Sequence, residues 1–261
     1  MPRHKVVVQR QFTRTVDAFS RTAVRDTPEI AAERVAFARP QPDDLVLDVG
    51  CGPGIFVLAI APHVRYARGI DLTQAMLVRA REFQQERQIT NACFVQGEAE
   101  RLPYPDNAFD LVSSHFAFHH LLKPEAVLRE MLRVTKPEGR LMVVDTLGPE
   151  SDEKWELHNQ IENLRDPSHI ASLRLTTFLN FFDDLELEII RQTQKRRQRS
   201  FNQWMQRAGL EPPAARYFET RRLIEEAIPG DKASFGAQRQ NDDLIITHIE
   251  GMFLLRRKST E

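Results

Sequence analysis

Glycines at alternate positions, Gly50, Gly52 and Gly54, follow directly on the apolar run Leu45-Val46-Leu47-Asp48-Val49. A helix-like stretch then runs from Gly54 to Ala61 and is stopped by Pro62. Glycine adopts backbone conformations closed to other residues and carries no Cβ. A strand that ends in such a loop and passes straight into a helix therefore turns sharply and leaves bare backbone at the turn. That is where open α/β sheets hold ligands. The spacing narrows the ligand. A dinucleotide fingerprint needs a third glycine where this chain has Ile55, and a phosphate loop needs a downstream Lys and hydroxyl that are absent. The loop offers close approach without phosphate chemistry; a plain glycine-rich strand–helix turn is the alternative reading.

The same alternation of short Val/Ile/Leu-rich strands with helical spacing continues from Asp44 to Asp145. Strands are expected at 66–71, 92–97, 109–114 and 141–145, the last entered through the turn Pro137-Glu138-Gly139. Helices are expected after Thr73, which can cap the first of them, and from Pro124 to Val134. Strands separated by helices of this length indicate a parallel sheet covered on both faces, a doubly wound α/β layout. Beyond it, helical spacing at 151–164 and 173–184 precedes a strand at 185–190. A basic run, Lys195-Arg196-Arg197-Gln198-Arg199, reads as a solvated strand end. Helices at 200–208 and 214–227 form an insertion before a final strand, 244–255. Residues 146–190 hold ten acids against three bases, and 191–222 nine bases against two acids. These stretches either pack together or are solvated separately.

Overall the charges cancel, Lys+Arg 36 against Asp+Glu 37, so no general field attracts nucleic acid or anionic lipid. Two cysteines, Cys51 and Cys93, cannot make a disulfide framework, and the N-terminus lacks a secretory signal core. The longest uncharged run, 16 residues between Asp48 and Arg65, is too short and too rich in Gly and Pro to span a bilayer. The expectation is a cytoplasmic globular protein, monomer or homodimer, without a membrane span or nucleic-acid partner.

Two carboxylates sharpen the ligand. Asp71 ends the second strand 21 residues after Gly50, where an acid can accept hydrogen bonds from both hydroxyls of a ribose; capping the next helix is its other reading. Glu98 follows the third strand and can accept from an adenine amine. The loop Asp48 to Gly54, then Asp71, Gly97-Glu98-Ala99-Glu100-Arg101-Leu102-Pro103-Tyr104, Asp106 and Phe109-Asp110 together resemble the class I S-adenosylmethionine-dependent methyltransferases. The closest likeness is to the branch of ubiquinone/menaquinone C-methyltransferases, which Arg129-Glu130, Arg133-Val134 and Lys136-Pro137-Glu138-Gly139 also match. These motifs cover residues 44–145, about 40% of the chain. Asp166-Pro167-Ser168-His169 resembles a bacterial subgroup with a helical insertion before the last strand.

The resemblance implies a Rossmann-like, seven-stranded, mostly parallel sheet with N-terminal helices. It divides the chain into a helical cap (1–40), an S-adenosylmethionine-binding core (41–146) and a substrate-side remainder completing the sheet (147–261). Asp48, Gly50, Cys51, Gly52 and Gly54 belong to the loop along the methionine and ribose; Asp71 holds the ribose. Leu72 and Met76 pack near the adenine, with Gly97, Glu98 and Ala99 at its polar edge. Ser113 and His115 sit beside the sulfonium, and Phe19 closes over the cofactor from the N-terminal helix. Members often carry Asp where this chain has Glu98, and Tyr where it has Phe19.

The implied reaction moves a methyl group to O, N or C of a small, fairly apolar or aromatic acceptor. A base is needed only where the acceptor arrives protonated. Five of the eight histidines lie between 115 and 169, and His120 or His169 is the expected base or hydrogen-bond partner. A metal pair at His115 and His119 is disfavoured because no acids cluster at a fitting spacing, and with two cysteines arsenite is an unsuitable acceptor. The Phe178, Phe181 and Phe182 stretch either lines the acceptor pocket or packs in the core. Residues 114–118, Ser-His-Phe-Ala-Phe, lack the Asn/Asp-Pro-Pro-aromatic signature of enzymes that methylate DNA adenine or protein glutamine. The alternatives are a non-catalytic S-adenosylmethionine-binding or partner-binding module, which erosion of the loop or of Asp71 would mark, and a nicotinamide oxidoreductase, against which Ile55 argues.

Overall fold

Strand β1 (Leu45–Val49) buries four of its five residues, as an unbroken apolar run does when helices cover both faces of its sheet. The computed structural model describes residues 3–25 and 28–258. Met1, Pro2, residues 26–27 and residues 259–261, which belong to the expected end segments, lie outside them. From β1 the sheet grows outward in the order β3-β2-β1-β4-β5-β8-β6. Strands β2 (Tyr66–Asp71), β3 (Ala92–Gln96), β4 (Phe109–His115) and β5 (Thr135–Leu147) join β1 in parallel, while β8 (Asp243–Arg257) runs antiparallel to β5 and to β6 (Leu187–Ser200). The seven strands expected make up this path. A three-residue β7 (Gln238–Gln240) hairpins onto β8 as an eighth.

Alternation along the strands sorts the core. Val46, Leu111, Met142 and Leu254 face α2 (Pro28–Ala38), α3 (Ile55–Ile60) and α4 (Gln74–Glu86). Leu47, Val112, Val143 and Phe253 face α5 (Pro124–Val134) and α7 (Leu175–Asp184). Phe178 and Phe182 belong to that second layer, against Phe118 and Phe253, so the phenylalanine stretch is core. A third apolar cluster joins α6 (Asp152–Arg165), α8 (Phe201–Arg207) and α9 (Ala215–Ala227) to Leu244 and Ile246 of β8. Helix α1 (Arg3–Arg25) precedes these elements, and short 3-10 turns at Ala61–His63 and Phe118–His120 follow α3 and β4.

Two local expectations need correction. The basic run is only in part a solvated strand end: β6 continues through it to Ser200 with Arg196 and Gln198 exposed, while Arg197 pairs across to His248 in register. Lys195 and Arg197 are ion-paired with Glu33, and Arg197 also with Glu250, so charge that looked solvent-bound in the sequence is neutralised from α2 and β8. Nor does Thr73 cap α4 with its hydroxyl, which has no partner; its backbone N–H instead donates to Asp71 Oδ1 at 2.7 Å.

Candidate active site

The glycine loop lies at the C-terminal edge of β1 and opens onto a cavity of about 470 Å³. Gly50, Gly52 and Gly54 all hold positive φ, +71°, +51° and +75°, the region that penalises any Cβ. They differ in what surrounds them. A Cβ on Gly50 would stand 2.7 Å from Ala117 Cβ, and one on Gly54 2.6 Å from the Phe94 ring. Gly54 thus packs helix against sheet and does not line the cavity, contrary to expectation. Gly52 has nothing within 4 Å of such a position, so bare backbone faces open space. Its N–H donates to Asp71 Oδ2 at 2.8 Å, tying the loop to the tip of β2. The Cys51 side chain also lines the cavity and packs on Gly69; burial pushes its thiol well up, so it is no nucleophile.

Asp71 spends one bond per carboxylate oxygen on backbone, to Gly52 and Thr73. A carboxylate has about four acceptor sites, so each oxygen keeps capacity toward the cavity. Leu72, Met76, Gly97, Glu98 and Ala99 line the same end. The loop after Gly97 is braced from α5: Glu130 accepts from Leu102 N–H at 2.9 Å, and Arg133 donates to the carbonyls of Leu102 and Tyr104. Helix α1 roofs this end. Lys5 Nζ sits 2.8 Å from both Glu98 and Glu100, Gln9 donates to Leu72 O, and Phe19 lines the cavity edge-on to Phe12. The partner of Glu98 in this structure is therefore a lysine of the roof.

Asp48 and His115 form the floor. Burial, with Asp71 nearby, raises Asp48 to about 8 against the hydrogen bond from Ser113 Oγ at 2.7 Å, which favours its neutral form. Ser113, expected in the site, instead turns inward to Asp48 and the Leu47 carbonyl and does not line the cavity; Ser114, one residue on and so on the opposite face, does. His115 lies over Phe56 with centroids 3.9 Å apart. Both its ring nitrogens are buried without a hydrogen bond, Nε2 standing 3.8 Å from Asp48 Oδ1, and burial holds its pKa well below the ordinary value. It is a neutral imidazole lining the cavity with spare hydrogen-bonding capacity.

A histidine wall closes the next side. His119 Nδ1 stands 2.6 Å from Asp145 Oδ1, so the Nδ1 proton faces the carboxylate and Nε2 is the nitrogen that gains or loses a proton. Asp145 is itself held by Phe118 N–H and Thr146 N–H at the end of β5. Burial opposes protonation of His119, but the Asp145 carboxylate outweighs it and raises the pKa. The two histidines singled out from the sequence are also on this wall with the opposite tuning. His120 Nδ1 meets the Ser168 carbonyl at 2.9 Å, and burial beside His119 lowers it to about 4. His169 Nε2 meets Asn159 Oδ1 at 2.8 Å, and burial lowers it to about 3. The segment Asp166-Pro167-Ser168-His169 shapes the wall, since Asp166 accepts from the Ser168 N–H and hydroxyl. Among the described residues, no group of three or more His, Cys, Asp or Glu is placed to hold a metal.

The cavity thus gathers Phe19, Asp48, Gly50, Cys51, Gly52, Asp71, Leu72, Met76, Gly97, Glu98, Ala99, His115, His120 and His169, and leaves out Gly54 and Ser113. Sequence reasoning missed the His119–Asp145 pair. Its one signal was an acid closing β5 at the sheet edge where ligands bind. It also missed Lys5, Gln9 and Phe12, which only the docking of α1 brings to the site.

Residues 47–143 match a family described as a methyltransferase domain. An uncharacterised methyltransferase, YcgJ of Bacillus subtilis, is 39% identical over 142 residues, 54% of this chain and 56% of that one. Its crystal structure superposes with a TM-score of 0.77 over 88% of this chain and 98% of its own, at 28% identity. An uncharacterised protein of Escherichia coli, YafE, is 33% identical over 189 residues, covering 72% of this chain and 89% of YafE. Demethylmenaquinone methyltransferase of Listeria welshimeri is 36% identical over 120 residues, 45% of this chain and 51% of that enzyme. In sequence, the chain thus spans little more than half the length of the Bacillus and Listeria relatives. With the glycine loop, the acid at the tip of β2 and the antiparallel last strand agreeing, the chain belongs to the S-adenosylmethionine-dependent methyltransferase family.

Proposed function

We propose that this chain binds S-adenosylmethionine at the glycine-loop end of the cavity and transfers its methyl group to a small-molecule acceptor. The observation that carries the reading is the Gly52–Asp71 link: bare backbone facing open space, fastened to a carboxylate with acceptor sites to spare. The Listeria relative is named for methylating demethylmenaquinone, which supports a small-molecule acceptor.

Asp71 would accept from the ribose hydroxyls, and Gly50, Cys51 and Gly52 would lie along the sugar and the amino-acid tail. Leu72 and Met76 would flank the base, with Gly97, Glu98 and Ala99 at its edge and Phe19 above. Bound S-adenosylmethionine supplies a methyl on a positively charged sulfur, a leaving group that needs no proton. The protein's part is to align the acceptor and exclude water, for which the roof by α1 and the neutral floor of Asp48 and His115 are suited. Where the acceptor arrives protonated, His119 Nε2 takes the proton and Asp145 stabilises the imidazolium formed. His120 and His169, both kept neutral, serve as hydrogen-bond partners on the same wall.

Calorimetric titration with S-adenosylhomocysteine tests this. Binding is expected in the native protein and at least about a hundredfold weaker in Asp71→Ala, because two bonds to a charged group, each worth about 1.5–3 kcal/mol, are lost. No heat in the native protein, or equal affinity in the variant, overturns the reading. Tight binding with no acceptor methylated in a metabolite screen returns the chain to a binding module.

A further inference from the structure

A neutral imidazole has one N–H donor and one lone-pair acceptor, and the partner of one nitrogen decides the role left to the other. Three histidine rings of the cavity wall lie together, the His119 centroid 4.2 Å from that of His120 and 5.5 Å from that of His169. His120 Nδ1 stands 2.9 Å from the Ser168 carbonyl and 3.1 Å from Ser168 Oγ. The Ser168 hydroxyl donates its proton to Asp166 Oδ1 at 2.6 Å. Both Ser168 oxygens therefore accept from His120, whose Nδ1 carries the proton and whose Nε2 keeps a lone pair. His169 is fixed in the reverse sense. Asn159 Oδ1 accepts from the Ser172 N–H at 2.7 Å and Asn159 Nδ2 donates to the Trp155 carbonyl at 2.9 Å, which sets the orientation of the amide. His169 Nε2, 2.8 Å from the same Oδ1, is thus a donor, and the lone pair is on Nδ1.

Among the described residues neither His120 Nε2 nor His169 Nδ1 has a hydrogen-bond partner, and neither is sealed in the interior as His158 Nε2 and His248 Nδ1 are. Burial keeps both rings neutral, so neither nitrogen turns into a donor at neutral pH. Donors close by are committed elsewhere. Arg165 is held by Glu162 and by the Trp204 carbonyl, and His4 Nε2 meets the backbone carbonyl of His120. Two acceptors of fixed identity thus face the cavity on either side of His119. An unmatched acceptor in a closed cavity is costly, and a ligand that brings hydrogens to both removes that cost.

We propose that the methyl acceptor carries at least two hydrogen-bond donors, hydroxyl or amine hydrogens, one docked on His120 Nε2 and one on His169 Nδ1. The assignment rests on the methyl-transfer reading above and adds the chemical class of the acceptor. It gives the small, fairly apolar molecule expected from the sequence a donor-bearing edge. The apolar body has Phe12 to lie against, which lines the cavity with its ring 5.0 Å from that of His120. The same wall rejects molecules whose polar groups only accept, because an ether oxygen or a carboxylate would set its lone pairs against those of the two imidazoles.

The test is calorimetric titration of the S-adenosylhomocysteine-loaded protein with matched probes. Catechol, resorcinol and hydroquinone are compared with phenol, the three phenylenediamines with aniline, and 1,2-dimethoxybenzene serves as the ring without a donor. At least one two-donor ring is expected to bind about fivefold or more tighter than its single-donor partner, with dimethoxybenzene the weakest. Whichever series shows the larger ratio identifies hydroxyl or amine, and the favoured isomer gives the spacing. In His120→Phe and in His169→Phe, each of which keeps a ring but removes one lone pair, that preference is expected to fall about fivefold. Retained S-adenosylhomocysteine affinity is the check on folding. Two-donor rings that bind no tighter than phenol and aniline, no heat from any probe, or a preference undiminished in either variant overturns the proposal. Failure of S-adenosylhomocysteine itself to bind would count against the cofactor reading instead.

Discussion

The two ends of the cavity are built on different electrostatic plans. At the glycine-loop end Asp71, Glu98 and Glu100 line the cavity with Lys5 bridging the two glutamates; the far end is lined by the long side chains of Arg34, Arg165 and Arg197 paired with Glu162 and Glu250. The backbone differs as well. The first end is strand tips and a loop whose N–H groups and positive φ values are fixed by the fold. The second is a set of long side chains from α2, α6, α8 and β6. A rigid backbone cradle recognises one invariant ligand, whereas side chains on inserted helices can be exchanged without disturbing the sheet. The comparison teaches that the end proposed for the cofactor is fixed by backbone, and that the other end is set by side chains that can be exchanged.

The contrast breaks most severely at Gly50. Gly50→Ala forces a Cβ to 2.7 Å from Ala117 at φ +71°. Overpacking costs about 1–3 kcal/mol and the left-handed conformation about 1–2 more, so a loss near 3 kcal/mol is expected in urea unfolding. Gly52→Ala carries the backbone penalty alone, about 1–2 kcal/mol, since nothing lies within 4 Å. Its larger effect should appear in S-adenosylhomocysteine affinity. Similar stabilities for the two variants would show that Gly50 and Gly52 do not divide packing from ligand approach as argued.

Next in size is the pair between the two ends. Asp145→Asn removes a charge-assisted bond worth about 1.5–3 kcal/mol while keeping a group that can still accept from His119. His119 is raised in the native protein because Asp145 outweighs burial. Without the charge its pKa falls below the ordinary histidine value, which a histidine NMR titration reads directly. A base acts when unprotonated, so turnover of a protonated acceptor rises with pH through the His119 pKa, and the variant's acid limb moves to lower pH with a reduced plateau. An unmoved His119 resonance would remove the pair from the mechanism.

What the sequence disclosed divides along the same line. The order of β1 to β5, the loop and Asp71 were legible because each depends on local pattern: an apolar run, glycines, an acid at a strand tip. Ser113 was misplaced because it lies one step deeper in β4 than Ser114 and His115, with its hydroxyl taken by Asp48, and spacing from a motif does not show where along the strand the cavity begins. The arginine end was illegible for a different reason. Arg34, Arg165, Arg197 and Arg207 lie far apart in the chain and meet only through the docking of α2, α6 and α8 on β6 and β8, a tertiary fact without periodicity. The basic run looked solvated because its partners, Glu33 and Glu250, are 164 and 53 residues distant from Arg197.

The smallest expected effect is at Glu98, and it sharpens the comparison from the roof. Its side chain is 42% exposed and its bond to Lys5 is shared with Glu100. An exposed ion pair contributes about 0–1 kcal/mol, and Glu100 retains the lysine when Glu98 is neutralised. Glu98→Gln should therefore leave stability within about 1 kcal/mol of the native protein. The informative readout is salt dependence. If Glu98 contributes only through Lys5, S-adenosylhomocysteine affinity in the variant changes by less than about fivefold, and the difference vanishes at high salt as screening removes exposed charge interactions. If Glu98 leaves Lys5 to accept directly from the nucleoside, the loss persists at high salt, because a hydrogen bond shielded under the roof is not screened. The second outcome would make α1 a roof that exchanges a lysine for the ligand as it closes; the first would leave Lys5 a fixed strut between helix and loop.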